Sequence, residues 1–114
     1  MCDKDALDAI TERVCAAAKE VLGEKLEKVL LFGSYARGDY DDESDIDIFI
    51  LADITQEAEN DVRSKIRDAM GYIELDYDAV ICLHMGCSDI FYSWLDVLPY
   101  FMNVQKDGIV LYAA

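Results

Sequence analysis

Two aspartates inside an apolar segment are the residues of this 114-residue chain with the clearest chemical potential. Asp45 and Asp47 alternate with Ile46 and precede an apolar run that ends at Leu51. In a β-strand, such side chains leave the same face roughly 6.6 Å apart along the chain. Burying two like charges costs several kcal/mol unless cations compensate. The pattern therefore predicts a divalent-cation site, and carboxylate oxygens favour Mg²⁺ or Mn²⁺ over zinc.

The pair Gly33-Ser34 follows an earlier apolar run and has residue types suited to binding phosphate. A glycine lets backbone N–H groups approach phosphate oxygens, and the serine hydroxyl is a further donor. A Gly-Ser pair alone carries little information. Here ten residues separate it from Asp45, and the combination at this spacing is specific.

A third carboxylate is expected from the segment over residues 76–83, which the pattern predicts to be the neighbouring strand. Asp76 and Asp78 open this segment, so a carboxylate of this strand can face Asp45 and Asp47. The residues themselves leave the choice between Asp76 and Asp78 open.

The elements that must position these residues follow from hydrophobic periodicity. Apolar residues at steps of three and four predict a helix over 5–22 that stops near Gly23, and a second helix from Thr55 to Gly71. Two short helices are expected within 89–106, around Pro99, after a turn over 86–88. Short apolar runs predict four strands, over 28–32, 45–51, 76–83 and 109–112. This order predicts an α/β (α+β) fold in which helices flank a sheet.

The string Gly33-Ser34-Tyr35-Ala36-Arg37-Gly38, followed by Ser44-Asp45-Ile46-Asp47, resembles the signature of the DNA polymerase beta-like nucleotidyltransferase superfamily. It is most similar to the minimal nucleotidyltransferase (MNT) branch. The resemblance covers essentially the whole chain, because the segment around Asp78 and the ending Gly108–Tyr112 also look like that branch. It implies one minimal nucleotidyltransferase domain over residues 1–114, with a mixed four-stranded sheet flanked by helices.

The resemblance also implies roles for the carboxylates. Asp45 and Asp47 would hold two Mg²⁺ ions, for which Mn²⁺ can substitute, and a third carboxylate would help to hold the ion that activates the attacking hydroxyl. Asp78 is preferred as this catalytic and metal-binding residue because Tyr77-Asp78-Ala79-Val80 is similar to the family pattern. Asp76 stays open as the alternative.

Three motif residues are implied to bind the nucleotide, ATP or another nucleoside triphosphate. Gly33 and Ser34 match the positions that contact the β- and γ-phosphates in the family. Arg37 matches the motif, and its contact is left open.

Many proteins of this branch pair with HEPN-domain proteins, and some act as antitoxins that transfer AMP from ATP to a tyrosine of a HEPN ribonuclease toxin. The resemblance therefore implies a Mg²⁺-dependent protein adenylyltransferase with a HEPN partner. Two alternatives stay open: transfer to a small molecule such as an antibiotic, and non-catalytic, stoichiometric inhibition of a HEPN partner. The donor base, the acceptor and the oligomeric state cannot be derived from the residues.

The net charge and the absence of a long apolar run argue against two classes of function, nucleic-acid binding and membrane association. Lys and Arg number 10 against 24 Asp and Glu, for a formal charge of −14. Such a chain repels nucleic acid and anionic lipid, whereas it suits a basic protein partner. Without a long apolar run or a signal-peptide pattern, a cytoplasmic protein that does not enter a membrane is expected.

The cysteines and the single histidine give a weaker signal. Cys82, His84 and Cys87 suggest a zinc site, but these three fall short of the usual four ligands, and Asp89 is the only obvious further one. We therefore expect no zinc site and free thiols, and we interpret His84 as structural or exposed.

Overall fold

The computed structural model describes residues 4–33, 35, 38, 45–88 and 108–113. Helix α1, Lys4–Leu22, buries Ile10 and Val14 of the predicted apolar stripe, together with Ala18 and Leu22, which lie beside the stripe. The helix ends at Gly23, whose φ of +58° lies in the left-handed region that glycine adopts at little cost. A short 3₁₀ turn, Gly23–Lys25, then leads into the sheet.

The sheet has four strands: β1 Leu26–Phe32, β2 Ile46–Ala52, β3 Ile81–Cys87 and β4 Ile109–Ala113. Their spatial order is β3-β2-β1-β4. Strand β1 is antiparallel to β2 and β4, whereas β2 and β3 are parallel. The predicted α+β fold, a mixed four-stranded sheet flanked by helices, is therefore confirmed.

Helix α2, Gln56–Tyr77, connects the parallel strands β2 and β3. It begins as predicted at Thr55, whose side-chain oxygen accepts a hydrogen bond from the Ala58 N–H at 3.3 Å. Its buried residues, Ile66, Met70 and Ile73, pack on the same face of the sheet as α1. Neither described helix is both long enough and apolar enough to cross a bilayer.

The predicted end of the second helix and start of the third strand are wrong. Helix α2 continues through Gly71 to Tyr77, so Asp76 is helical, and Asp78 is the left-handed C-cap with φ 51°. A glycine inside a helix costs about 1 kcal/mol relative to alanine. Contacts beyond it outweigh this cost, because Ile73 is buried and the Asp78 N–H donates to the Glu74 carbonyl.

The predicted turn over 86–88 is also wrong for Gly86 and Cys87, which belong to β3. A Cβ on Gly86 would lie 2.8 Å from Cζ of Phe49 on β2, so the glycine makes room for the ring of the neighbouring strand. The helices expected around Pro99 lie outside the described residues.

The two faces of the sheet differ. Alternate residues of β2, Ile46, Ile48 and Ile50, belong to the main core beneath the helices. Phe49 and Leu51 form a second buried cluster with Leu30 on the opposite face. Because side chains alternate along a strand, Asp47 shares this opposite face with Phe49. Strand β2 is thus buried on both faces, as its composition predicts, except near its aspartates.

Candidate active site

The two aspartates of the Asp-x-Asp motif lie at one end of the sheet, where β1 ends and β2 and β3 begin. Asp45 directly precedes β2 and is exposed, whereas the Asp47 side chain is 27% exposed. Asp47 is opposite Phe32, the last residue of β1. The other residues of β2 are apolar and buried, so these two carboxylates are the polar side chains at the start of the strand.

Gly33, the first residue after β1, packs directly against the side chain of Asp47. Its φ is +74°, and a Cβ at this position would overlap Oδ2 of Asp47 and lie 3.1 Å from its Cγ. Only glycine therefore lets the end of β1 and the carboxylate occupy their present places. From the sequence, Gly33 is expected to let phosphate approach, and this second, steric reason follows only from the strand register. Ser34 and Arg37 lie outside the described residues.

Strand β3 presents to the aspartates two side chains that sequence reasoning missed. The Cys82 thiol donates a hydrogen bond to Oδ2 of Asp45 at a Sγ–Oδ2 distance of 3.4 Å. Nε2 of His84 lies 3.5 Å from Oδ1 of Asp47. The sequence carries one signal that could have identified them. Cys82 and His84 are two positions apart, so both side chains lie on one face of a strand.

The environment of Cys82 keeps its thiol protonated. Burial raises the pKa of Cys82, and the hydrogen bond to Asp45 and the negative charges of Asp45 and Asp47 raise it further, while Arg67 opposes them. A neutral S–H group is a donor, so Cys82 can donate its hydrogen bond to the Asp45 carboxylate.

The two candidates for the third carboxylate occupy different elements. Asp76, on α2, forms an ion pair with Arg13 of α1 at 2.6 Å, so the expectation that it lies on a strand face with Asp78 is wrong. Asp78 is exposed, three residues before β3.

Asp78 nevertheless lies near the end of the sheet that carries the motif. Val80, two residues further on, accepts a hydrogen bond from the Ile46 N–H at 2.9 Å. Among the described residues, no three His, Cys, Asp or Glu side chains are grouped to bind one metal ion. The structure places Cys82 beside Asp45 and His84 beside Asp47. In the part of the chain that the structure describes, neither these side chains nor Asp78 form a group of three.

Comparison with known proteins identifies the family of this arrangement. The family model of the nucleotidyltransferase domain matches residues 14–101, which include β1, the glycine, both aspartates and β3. The chain belongs to the nucleotidyltransferase domain family. This membership confirms the class of enzyme that the Gly-Ser and Asp-x-Asp motifs imply.

Two similar nucleotidyltransferases come from Methanocaldococcus jannaschii. “Putative protein adenylyltransferase MJ0604” is 36% identical over 104 residues, which cover 91% of this chain and 95% of the relative. “Putative protein adenylyltransferase MJ0141” is 44% identical over 89 residues, which cover 78% of this chain and 82% of the relative. The chain is thus a nucleotidyltransferase that resembles proteins named for transfer to protein.

Two solved structures share the fold. A toxin-antitoxin structure with AMP-PNP has a TM-score of 0.56 at 22% identity, and the match covers 91% of this chain and 73% of that chain. A mutant of the toxin-antitoxin MntA-HpeT has a TM-score of 0.53 at 20% identity, with the same coverage. At these identities the likeness shows the fold alone.

The donor set of the nucleotidyltransferase site fits a divalent cation. Asp45 and Asp47 offer carboxylate oxygens at the exposed start of β2, and the absence of a side chain on Gly33 leaves room for the Asp47 carboxylate. Hard oxygen donors of this kind suit Mg²⁺ and Mn²⁺.

Proposed function

We propose that this nucleotidyltransferase transfers AMP from ATP, with Mg²⁺, to a tyrosine hydroxyl of a HEPN-domain toxin and thereby acts as its antitoxin. The observation that carries the proposal is the Asp45–Asp47 pair at the open end of the sheet, with Gly33 packed against Asp47. Similarity to proteins named adenylyltransferases supports the donor and the class of acceptor.

The reaction follows from the proposed roles of the side chains. The acceptor oxygen attacks the α-phosphorus of ATP, the bond to the bridging oxygen breaks, and pyrophosphate leaves with that electron pair. Asp45 and Asp47 would hold the Mg²⁺ ions, with Asp78 as the proposed third carboxylate. When bound, the ions lower the pKa of the attacking hydroxyl and neutralise charge on the transferring phosphate.

The residues after β1 are proposed to bind the triphosphate. Gly33 has a positive φ and packs against the Asp47 side chain, so the segment proposed to bind phosphate begins beside this carboxylate. Ser34 and Arg37 complete this proposed phosphate site.

A basic protein partner fits the charge of the chain. The formal charge of −14 attracts a positively charged surface, such as one that binds RNA. We propose that the domain comprises residues 1–114 and that the reaction takes place in the cytoplasm.

Labelling with ATP that carries radioactive phosphorus at the α-position tests the proposal. The purified chain with Mg²⁺ and a HEPN partner is expected to label the partner on tyrosine. Asp45→Asn/Asp47→Asn should abolish labelling and leave association intact. The double variant Asp61→Asn/Asp68→Asn makes the same change of charge on the exposed side of α2, and it should label normally.

Two results would contradict the proposal in different ways. Association without labelling by the wild type would identify a stoichiometric inhibitor. Labelling of a small alcohol, without association with any protein, would identify a small-molecule nucleotidyltransferase.

A further inference from the structure

Each aspartate of the Asp-x-Asp motif has its own neighbour on β3. The Cys82 thiol donates to Asp45 at 3.4 Å, and the His84 imidazole lies 3.5 Å from Asp47. The parallel register pairs Asp47 with Cys82 and Phe49 with His84, so the two β3 side chains follow one another along the same face. The contacts of Cys82 with Asp45 and of His84 with Asp47 therefore follow from the parallel pairing of β2 with β3.

The imidazole of His84 is itself held in place. Its ring meets the ring of Phe32 edge-on, with centroids 5.0 Å apart at 69°, and its side chain is 37% exposed. Phe32 is the last residue of β1 and is opposite Asp47. Phe32 of β1 and Asp47 of β2 thus flank the imidazole of His84.

Asp47 is consequently enclosed from two directions. Its Oδ2 lies against the backbone of Gly33, and its Oδ1 faces His84. Asp45 accepts a hydrogen bond from the thiol of Cys82. Two like-charged carboxylates repel each other, so groups that hold them together before a cation arrives reduce the cost of forming the site.

We propose that Cys82 and His84 are positioning residues that orient the carboxylates of Asp45 and Asp47 for cation binding. This inference rests on the proposed function, in which the two aspartates hold the metal ions. Neither residue contacts the nucleotide in this role; each acts through its aspartate. Groups that orient metal ligands typically change metal affinity or activity by about 10–100-fold when removed.

Direct measurement of Mn²⁺ affinity, by titration calorimetry or electron paramagnetic resonance, tests the role without catalysis. Cys82→Ala and His84→Ala are each expected to weaken Mn²⁺ binding by about 10–100-fold. Cys82→Ser and His84→Asn keep a donor near each carboxylate and should restore much of the affinity. Cys15→Ala removes a partly buried thiol on α1 and should leave Mn²⁺ affinity unchanged.

A second measurement tests the contact in the absence of metal. His84 is the single histidine, so its imidazole ¹⁵N resonances are directly assignable. Asp47→Asn is expected to shift these resonances clearly more than Asp45→Asn does. Equal shifts in both variants would overturn the assignment of His84 to Asp47.

The outcomes separate this inference from the proposed function. If the wild type binds Mn²⁺ and the alanine variants bind it equally well, the positioning role is wrong and the metal site stands. If the alanine variants bind Mn²⁺ more weakly and also melt at a lower temperature, and Cys82→Ser and His84→Asn do not restore the affinity, the two residues have a structural role instead. If the wild type binds no Mn²⁺, both the metal site and the positioning role fail.

Discussion

At the scale of single residues, Gly33 and Asp47 form one steric unit. The carboxylate occupies the space where a side chain on residue 33 would start, and the backbone there has a positive φ. A substitution at this glycine therefore acts on a residue of another strand. The displacement of Asp47 that such a substitution causes can be measured separately from the backbone strain at residue 33.

Gly33→Ala is expected to displace the Asp47 carboxylate, to lower the nucleotidyl transfer rate at least about tenfold and to weaken Mn²⁺ binding. The left-handed backbone alone costs an alanine about 1–2 kcal/mol of stability. Gly23→Ala is the matched control, because Gly23 has φ +58° and a Cβ there would meet no described atom within 4 Å. Rate assays and thermal unfolding of both variants decide the matter: equal activity in the two would contradict the steric role.

At this scale, spacing along one strand is enough to relate some residues to each other. Asp45 and Asp47 could be placed together because period two is a property of the strand itself. Cys82 and His84 could not, since their place beside the aspartates depends on the parallel register across β2 and β3. That register is set by a connection that includes the whole of α2, and local pattern carries no information about it.

At the scale of elements, Glu74 joins the end of α2 to the start of β3. Its carbonyl accepts from the Asp78 N–H, and its carboxylate accepts from the Ile81 N–H at 2.9 Å and pairs with Arg67 at 2.7 Å. The side chain is only 18% exposed, so these contacts are partly shielded from water. Glu74 thereby fixes where helix ends and strand begins.

Glu74→Ala is expected to destabilise the fold by about 1–3 kcal/mol, because the Ile81 N–H loses its partner in a partly buried place. Chemical denaturation measures this change. Asp61→Ala removes an exposed carboxylate that pairs with Lys65 at 3.1 Å, and it should cost less than about 1 kcal/mol. Similar losses in the two variants would show that Glu74 has no special role at the junction.

The junction also explains which part of the fold could not be predicted. Four strands and both described helices follow from periodicity, and Thr55 marks the start of α2. The end of α2 was misplaced because Gly71 is a local signal, whereas the burial of Ile73 and the contacts of Glu74 are tertiary. The low helix propensity of Gly71 costs about 1 kcal/mol, and such tertiary contacts outweigh this cost.

At the scale of the whole molecule, the excess of acidic residues governs encounter with a partner. The formal charge is −14, and a single ion pair with a partner neutralises only one of these charges. Attraction between such a surface and a basic protein acts over the Debye length, which shortens from about 30 Å at 0.01 M salt to about 10 Å at 0.1 M.

Association with the proposed HEPN partner is therefore expected to slow at least about tenfold over this range of salt, while dissociation changes much less. Stopped-flow measurement of both rate constants provides the check, and the dissociation rate is the internal control. An association rate that does not respond to salt would show that charge does not guide the encounter.

The pairing of β4 with β1 has a consequence for how the chain folds. Leu31 pairs with Ile109, so β1 acquires its second neighbour from a segment far along the chain. Pairings of such large sequence separation form slowly, because the entropy of loop closure must be overcome first. During synthesis on the ribosome, β1 can meet β2 early, but the other side of β1 stays unpaired until β4 has emerged. Until then, this side of β1 is open to contact with other chains.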